Sequence, residues 1–332
     1  MAALATTNPT LADVAKRMDP DGRIDTIVEI LNETNEVLDD MTMLEGNLPT
    51  GHRTTIRTGL PAPTWRKLYG GVQPTKSTTV QVTDATGQLE AYAEVDKQLA
   101  DLNGNTAAFR LSEDRAHLEG MNQEYVDTLF FGDEATAPEE FTGFAPRFNS
   151  LSASNGENII SGGGSGSDNT SIWLVVWGPN TCHGIYPKGS VGGISMDDKG
   201  QVTIENVDGS NGRMEAYRTH YKWCGGLTVR DWRYVVRIAN IDKSDLTKDA
   251  ASGADLTDLM AQAIELIPSL GMGRPAFYCS RTIKSFLRRQ IASKVSSSTL
   301  TMEQVGGKSV VTYDGIPVRR TDALAPDEAA VS

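Results

Sequence analysis

Several groupings of side chains in this 332-residue chain could do chemistry, and each can be weighed from its spacing. Gly307-Lys308-Ser309 has the ending of a phosphate-binding loop. Such a loop also needs a glycine five residues before its second glycine, and it must open a helix so that backbone N–H groups cradle the phosphate. Met302 stands at that position, and the residues after Ser309 alternate like a strand, so a nucleotide site is rejected. Cys182-His183 sets a thiol beside a base. Adjacent residues of a strand point to opposite faces, so an extended segment cannot make them a dyad. His52, His117 and His220 could each supply a base, but no pattern favours one. The three cysteines, Cys182, Cys224 and Cys279, lack metal-ligand spacing and cannot all pair within one chain. They read as reduced thiols of a protein made in cytoplasm. Asn32-Glu33-Thr34 and Asn169-Thr170-Ser171 match the glycosylation pattern, which carries no meaning without a secretion signal. No pair of carboxylates stands out as an acid/base couple. The chain is therefore expected to be no enzyme, with no catalytic residue, cofactor or metal site.

Charge layout is more informative. The net charge is −12, which argues against nucleic-acid binding through a general positive face. Within that acidic chain, residues 51–76 carry His52, Arg53, Arg57, Arg66, Lys67 and Lys76 and no acidic residue. Pro61 and Pro63 break any helix there and interrupt any central strand, so the stretch is expected to be extended and at an edge. Arg281, Lys284, Arg288, Arg289 and Lys294 form a second basic run, which could touch phosphates but at helical spacing reads as a solvated face. No apolar run reaches the ~18 residues of a membrane span, and residues 1–9 lack the order of a signal peptide.

The elements that must position these groups follow from periodicity. Residues 11–18 and 23–42 read as acidic amphipathic helices. Val80 and Val82, then Leu89, Ala91, Ala93 and Val95, alternate on either side of Asp84-Ala-Thr-Gly87, which predicts a β-hairpin over 77–96. An isolated hairpin is marginal in water, so something must cover it. Asn103-Gly-Asn105 offers a cap for a long helix over about 105–131, with Leu111, Leu118, Met121, Tyr125 and Leu129 on one stripe and Gly132 as its stop. Phe141–Phe148 reads as an aromatic loop, and the Gly/Ser run 161–170 as a flexible connector at a subdomain boundary. Residues 171–241 are β-rich and hold Trp173, Trp177, Trp223 and Trp232. Residues 255–295 read as two helices, and Asp314-Gly315 joins two runs as a final hairpin.

The order of these parts resembles the major capsid proteins of tailed bacteriophages with the Hong Kong 97-like fold, closest in style to short-tailed phages such as those infecting Bordetella. An N-terminal arm (11–45), an extended loop with a hairpin (51–96), a spine helix (105–131) and the terminal Tyr313-Asp-Gly-Ile-Pro-Val-Arg-Arg-Thr-Asp-Ala-Leu324 carry it. The long Trp-rich β segment departs from a minimal version of the fold. The resemblance implies an α+β chain divided as arm (1–48), extended loop (49–100), spine helix and peripheral domain (101–160), axial domain with a β-rich insertion (161–300) and a return to the peripheral sheet (301–332). It implies self-assembly into hexamers and pentamers of an icosahedral head around double-stranded DNA, built in the bacterial cytoplasm and carried in the virion. Arg53, Arg57, Arg66, Lys67 and Lys76 would lie on the acidic surface of a neighbouring copy. The other implied partners are a cement or decoration protein, separate scaffold and portal proteins, and weakly contacted DNA; no membrane is involved. Some members of the family join a loop lysine to a neighbour's asparagine; Lys67, Lys76, Asn206 and Asn240 are available, but no local triad marks such a link, so a noncovalent shell is expected. The alternatives are an encapsulin-type compartment, and a cytoplasmic β-rich enzyme or carbohydrate-binding module whose exposed tryptophans stack on sugars.

Overall fold

The structure, a computed structural model, describes residues 33–102, 106–205, 212–246, 254–293, 300–305 and 308–332. In chain order the described strands are β1 (Met43–Glu45), β2 (Gly51–Gly59), β3 (Thr78–Asp96), β4 (Ile159–Ser161), β5 (Asn169–Trp177), β6 (Cys182–Tyr186), β7 (Ile194–Glu205), β8 (Arg213–Val229), β9 (Val235–Asp242), β10 (Arg274–Cys279), β11 (Leu300–Val305), β12 (Lys308–Tyr313) and β13 (Ile316–Arg320). The main helices are Thr106–Phe131, Leu256–Leu266 and Arg281–Ser293, so the chain is mixed α+β. It forms two compact units that are interleaved in sequence. The smaller holds Gln88–Val126 and Gly193–Cys224; the larger holds Asn35–Gly87, Asp127–Gly192 and Gly225–Ser332.

The larger unit is organised by β5. It pairs antiparallel with β10 on one side and with β9 on the other, and every residue in it is buried. Alternation therefore sends two sets of side chains into two different cores. Ile172, Leu174 and Val176 face an aliphatic core with Met260, Ala263, Ile283 and Leu287 from the two C-terminal helices. Trp173 and Trp177 face an aromatic one. Phe144 lies 5.6 Å from Trp173 and 6.0 Å from Trp177 between ring centroids, and Phe130 and Phe148 pack on Trp173 at 6.2 and 6.0 Å. The sheet extends from β10 through a parallel pairing to β13 and then to β12 and β11. The β12–β13 hairpin turns at Asp314 and Gly315, both with positive φ (49° and 76°), the conformation an Asp-Gly pair accepts most easily.

In the smaller unit β7 and β8 form an antiparallel ladder from Ile194↔Trp223 to Glu205↔Arg213. Val95, Ala100 and Phe109 make a small core against Leu99 and Tyr217, and Tyr125 stacks on Trp223 with centroids 4.0 Å apart. Polar pairs tie it further: Arg218 to Glu94 at 2.6 Å and Arg110 to Asp198 at 2.6 Å.

Sequence and structure differ at several points. The hairpin expected over 77–96 is instead one 19-residue strand, Thr78–Asp96; the observed hairpin pairs β3 with β2. The change of apolar phase at Asp84–Gly87 marks a strand whose buried face switches, and Gly87 keeps a negative φ, packed near Phe141. Phe141–Phe148 is core: Phe141, Phe144 and Phe148 are buried. Leu111 is exposed, and Phe109 takes its place on the buried stripe of the long helix. Residues 255–295 are interrupted by β10, whose alternation is hidden because both its faces are covered. Gly162 and Gly164 of the Gly/Ser run donate backbone N–H groups to Ala239 and Asn240 at 2.8 Å, which fixes the run along β9. The helices expected over 11–18 and 23–32, the cap at 103–105, Asn206, Lys294 and Gly307 lie outside the described residues. From 33 onward the second expected helix gives only the four-residue turn Val37–Asp40.

His183 of β6 is 1 % exposed. Burial, with His52 and Arg230 as lesser causes, lowers its pKa from 6.5 to about 4. The unfolded chain therefore binds the extra proton first, so this residue's stability contribution is complete above pH 6.5 and is lost as pH falls towards 4. The expected loss is at most about 3 kcal/mol. Urea unfolding of the subunit at pH 7, 5.5 and 4 should show a steeper acid loss for the wild type than for His183→Gln; superimposable pH profiles would refute this.

Candidate assembly interface

The basic stretch begins as a regular ladder. β2 and β3 pair antiparallel from Gly51↔Ala85 to Gly59↔Thr78, with a shift between Arg57 and Gly59. Alternation points Arg53, Thr55 and Arg57 outward on one face while Thr54 is buried. Arg53 Nε donates to Thr83 Oγ1 at 3.2 Å, and its backbone is clamped by Asn47 through two 2.7 Å bonds. Past Gly59 the ladder stops. Residues 60–77 form no strand, since Pro61, Pro63 and Pro74 remove donors from the segment. Its one backbone turn has Gly70 N donating to Lys67 O at 3.1 Å.

At its base the loop is held by a buried ion pair. Asp84, 4 % exposed, accepts from Arg147 Nη1 at 2.8 Å. Arg147 Nη2 also donates to Thr142 O and Leu227 O, both at 3.2 Å. One guanidinium thus joins β3, the aromatic turn and β8. A β-carbon at Gly51 would lie 2.1 Å from Asp84 O, so the strands meet too closely there for any side chain. Beside this base the His52 and His183 rings meet edge to face at 5.8 Å. Burial lowers the pKa of His52, and Arg230 lowers it further.

All five residues singled out from sequence, Arg53, Arg57, Arg66, Lys67 and Lys76, are exposed. The first two lie on the strand; the other three lie in the irregular segment beyond it. The sequence reading passed over the apolar residues among them. Leu60, Trp65, Leu68 and Tyr69 are 80, 100, 87 and 105 % exposed. Their signal was available: two aromatic rings between prolines, with no periodic partner to pack on. Tyr69 is also held at φ 64°, a left-handed conformation that a bulky residue adopts only with strain.

Among the described residues the chemical alternatives find no geometry. Cys182 and Cys279 are buried free thiols; burial pushes Cys182 well up and Cys279 up to about 12, away from the reactive thiolate. Trp173, Trp177 and Trp223 are buried, so the β-rich segment offers no row of exposed rings for sugar stacking. Asn240 Nδ2 donates to Val331 O at 2.9 Å and its Oδ1 accepts from Val331 N at 2.7 Å, so its side chain is occupied within its own copy. No described helix is long and apolar enough to cross a membrane.

Because Asp84 is buried and Arg147 is largely covered beside it, removing one partner should cost more than the pair itself contributes. Asp84→Asn is expected to lose about 3 kcal/mol in urea unfolding, and Asp84→Asn with Arg147→Met should recover part of it. A double variant as weak as the sum of the singles would show that the groups do not interact.

Comparison with known proteins agrees with this geometry. A family model described as major capsid protein GP7 matches residues 19–332. The chain is similar to a solved capsid chain of bacteriophage Epsilon15, with 42 % identity, a TM-score of 0.79, and 100 % of this chain and 99 % of that one covered. The capsid chain of bacteriophage JBD30 matches at 9 % identity and a TM-score of 0.49, over 89 % of this chain and 93 % of that one, too remote to support an argument. No curated protein sequence matches. A match over nearly the whole length, with 42 % identity to a solved capsid chain covered end to end, places it in the family of GP7 major capsid proteins.

Proposed function

We propose that this capsid subunit has the Hong Kong 97-like fold, assembles into hexamers and pentamers of an icosahedral phage head, and encloses double-stranded DNA in the virion. The division into arm (1–48), extended loop (49–100), spine and peripheral part (101–160), axial part (161–300) and returning segment (301–332), and the style shared with Bordetella phages, belong to the same proposal. The β2–β3 hairpin and its tip lie on a neighbouring copy. The observation that carries this is the tip itself: residues 60–77 are almost entirely exposed, apolar and basic, on a chain of net charge −12. A monomer has no use for fully exposed tryptophan and tyrosine, whereas an interface uses such residues as anchors. Arg53, Arg57, Arg66, Lys67 and Lys76 meet acidic surface of the next copy, and the charges set register and partner choice more than affinity. Many such weak contacts, closed around a shell, supply its stability. Scaffold and portal are separate proteins, a cement protein covers the outside, and DNA is contacted weakly because counterions neutralise it.

Reversing Arg53, Arg57, Arg66 and Lys67 to Glu should leave the circular dichroism spectrum unchanged but lower the assembled fraction about tenfold or more in size-exclusion chromatography. Raising salt should weaken wild-type assembly in the same direction. Unaltered assembly of the reversed variant would defeat the reading.

Mature particles boiled in detergent should give one band at the monomer mass of 35.8 kDa. A ladder of multiples that survives reductant would mean covalent links, with Lys67 or Lys76 as the first residue to replace.

A further inference from the structure

The larger unit contains a cleft of about 800 Å³ between β4, the last turns of the Leu256–Leu266 helix and the turn of the final hairpin. Its walls combine apolar and acidic groups. Ile160, Ile264 and Leu266 supply hydrocarbon, while Glu157, Glu265 and Asp314 stand at the lining with exposed carboxylates. No basic side chain lines it. Among the described residues none of the three carboxylates has an ion-pair partner. The cleft has a size that takes side chains of a bound segment, and its acidic lining selects a cationic one.

The same chain carries a segment with the complementary pattern. Trp65, Arg66, Lys67, Leu68 and Tyr69 set two cations between apolar residues, and the two rings are fully exposed. Arg66 and Lys67 make no ion pair among the described residues either. At 100 and 105 % exposure the rings touch nothing in their own copy, so an intramolecular seat is excluded. The turn at Lys67–Gly70 with Tyr69 at φ 64° holds that ring in a strained pose. Strain of that kind at an exposed tip is retained where a contact outside the subunit uses it.

The geometry points to the cleft of one copy as the receptor for the Trp65–Tyr69 tip of another, with the aromatic rings against Ile160, Ile264 and Leu266 and with Arg66 and Lys67 against Glu157, Glu265 and Asp314. This rests on the proposal that the loop reaches a neighbouring subunit, and it names where on that subunit the tip lands. The contact combines an apolar anchor with desolvated charge pairs, the arrangement that concentrates binding energy in few residues. Specificity follows from the charge: an apolar segment without cations would leave three carboxylates facing hydrocarbon.

The test replaces Tyr69 with photoreactive benzoylphenylalanine in the full chain, a change at a fully exposed site that leaves folding intact by circular dichroism. Assembled particles are irradiated, run on a denaturing gel, and the joined peptides are identified by mass spectrometry. The expected result is a band at twice the monomer mass, with the label attached to residues 157–161, 261–266 or 313–314. Attachment to a different region of another copy overturns the receptor assignment while leaving the loop-to-neighbour reading intact. Attachment only within the same copy, or no doubled band from assembled particles, overturns both. A charge exchange gives an independent readout. Glu265→Lys should lower the assembled fraction about tenfold, and adding Lys67→Glu should restore most of it; a double variant no better than Glu265→Lys alone would overturn the pairing.

Discussion

Strand β5 has no face that reaches water, and that constraint organises the larger unit. Nine consecutive buried residues must be covered twice. The Leu256–Leu266 and Arg281–Ser293 helices cover the side of Ile172, Leu174 and Val176. The short Phe144–Arg147 turn and Phe130 cover the side of Trp173 and Trp177. Both layers would be greasy and unspecific without polar pins, and these sit at the margins of the strand. Arg237 of β9 donates to Ser171 Oγ, Phe148 O and Glu328 Oε2 at 3.1, 2.7 and 2.6 Å, and its guanidinium lies 5.1 Å from the Trp173 ring. On the other side of the sheet's run, Trp177 Nε1 donates to Tyr278 Oη, which donates to Asp40, which in turn pairs with Arg319. A buried cation bonded through each of its three nitrogens fixes one arrangement of β5, β9 and the C-terminal segment where apolar packing alone tolerates several.

Against this rigid base the β2–β3 hairpin is a different material. Its root is held by Asp84 and Arg147, but residues 60–77 are almost entirely exposed. Placing lysine, arginine and proline there keeps an exposed edge from pairing with another edge indiscriminately. The apolar rings that remain are few and confined to the tip. Charge along the strand and hydrocarbon at the end is a division of labour suited to a contact that must first find its register and then close. On the proposed reading, stability of the subunit and capacity to assemble rest on different residues.

What the sequence determined by itself was whatever local interactions decide. The Asp314-Gly315 hairpin was legible because positive φ at two residues is a property of those residues. The long helix was legible within a residue because a proline-free run ends at Gly132, and the basic, acid-free stretch was legible as an exposed edge because proline and charge resist burial. Tertiary structure decided the rest. Asp84-Ala-Thr-Gly87 has the composition of a turn, yet it is strand, because Arg147 from a distant segment supplies the buried partner that Asp84 needs. Phe141–Phe148 has the punctuation of a loop, yet its rings are core, because Trp173 and Trp177 turn towards it. β10 was invisible for the same reason that β5 is central: a strand covered on both faces loses the alternation by which strands are read. The candidate site divides in the same way. Its cations announce themselves by charge, whereas Trp65 and Tyr69 give only the hint of two rings between prolines until the fold shows that no core of the subunit reaches them, since burial is a property of the whole chain and of no residue alone.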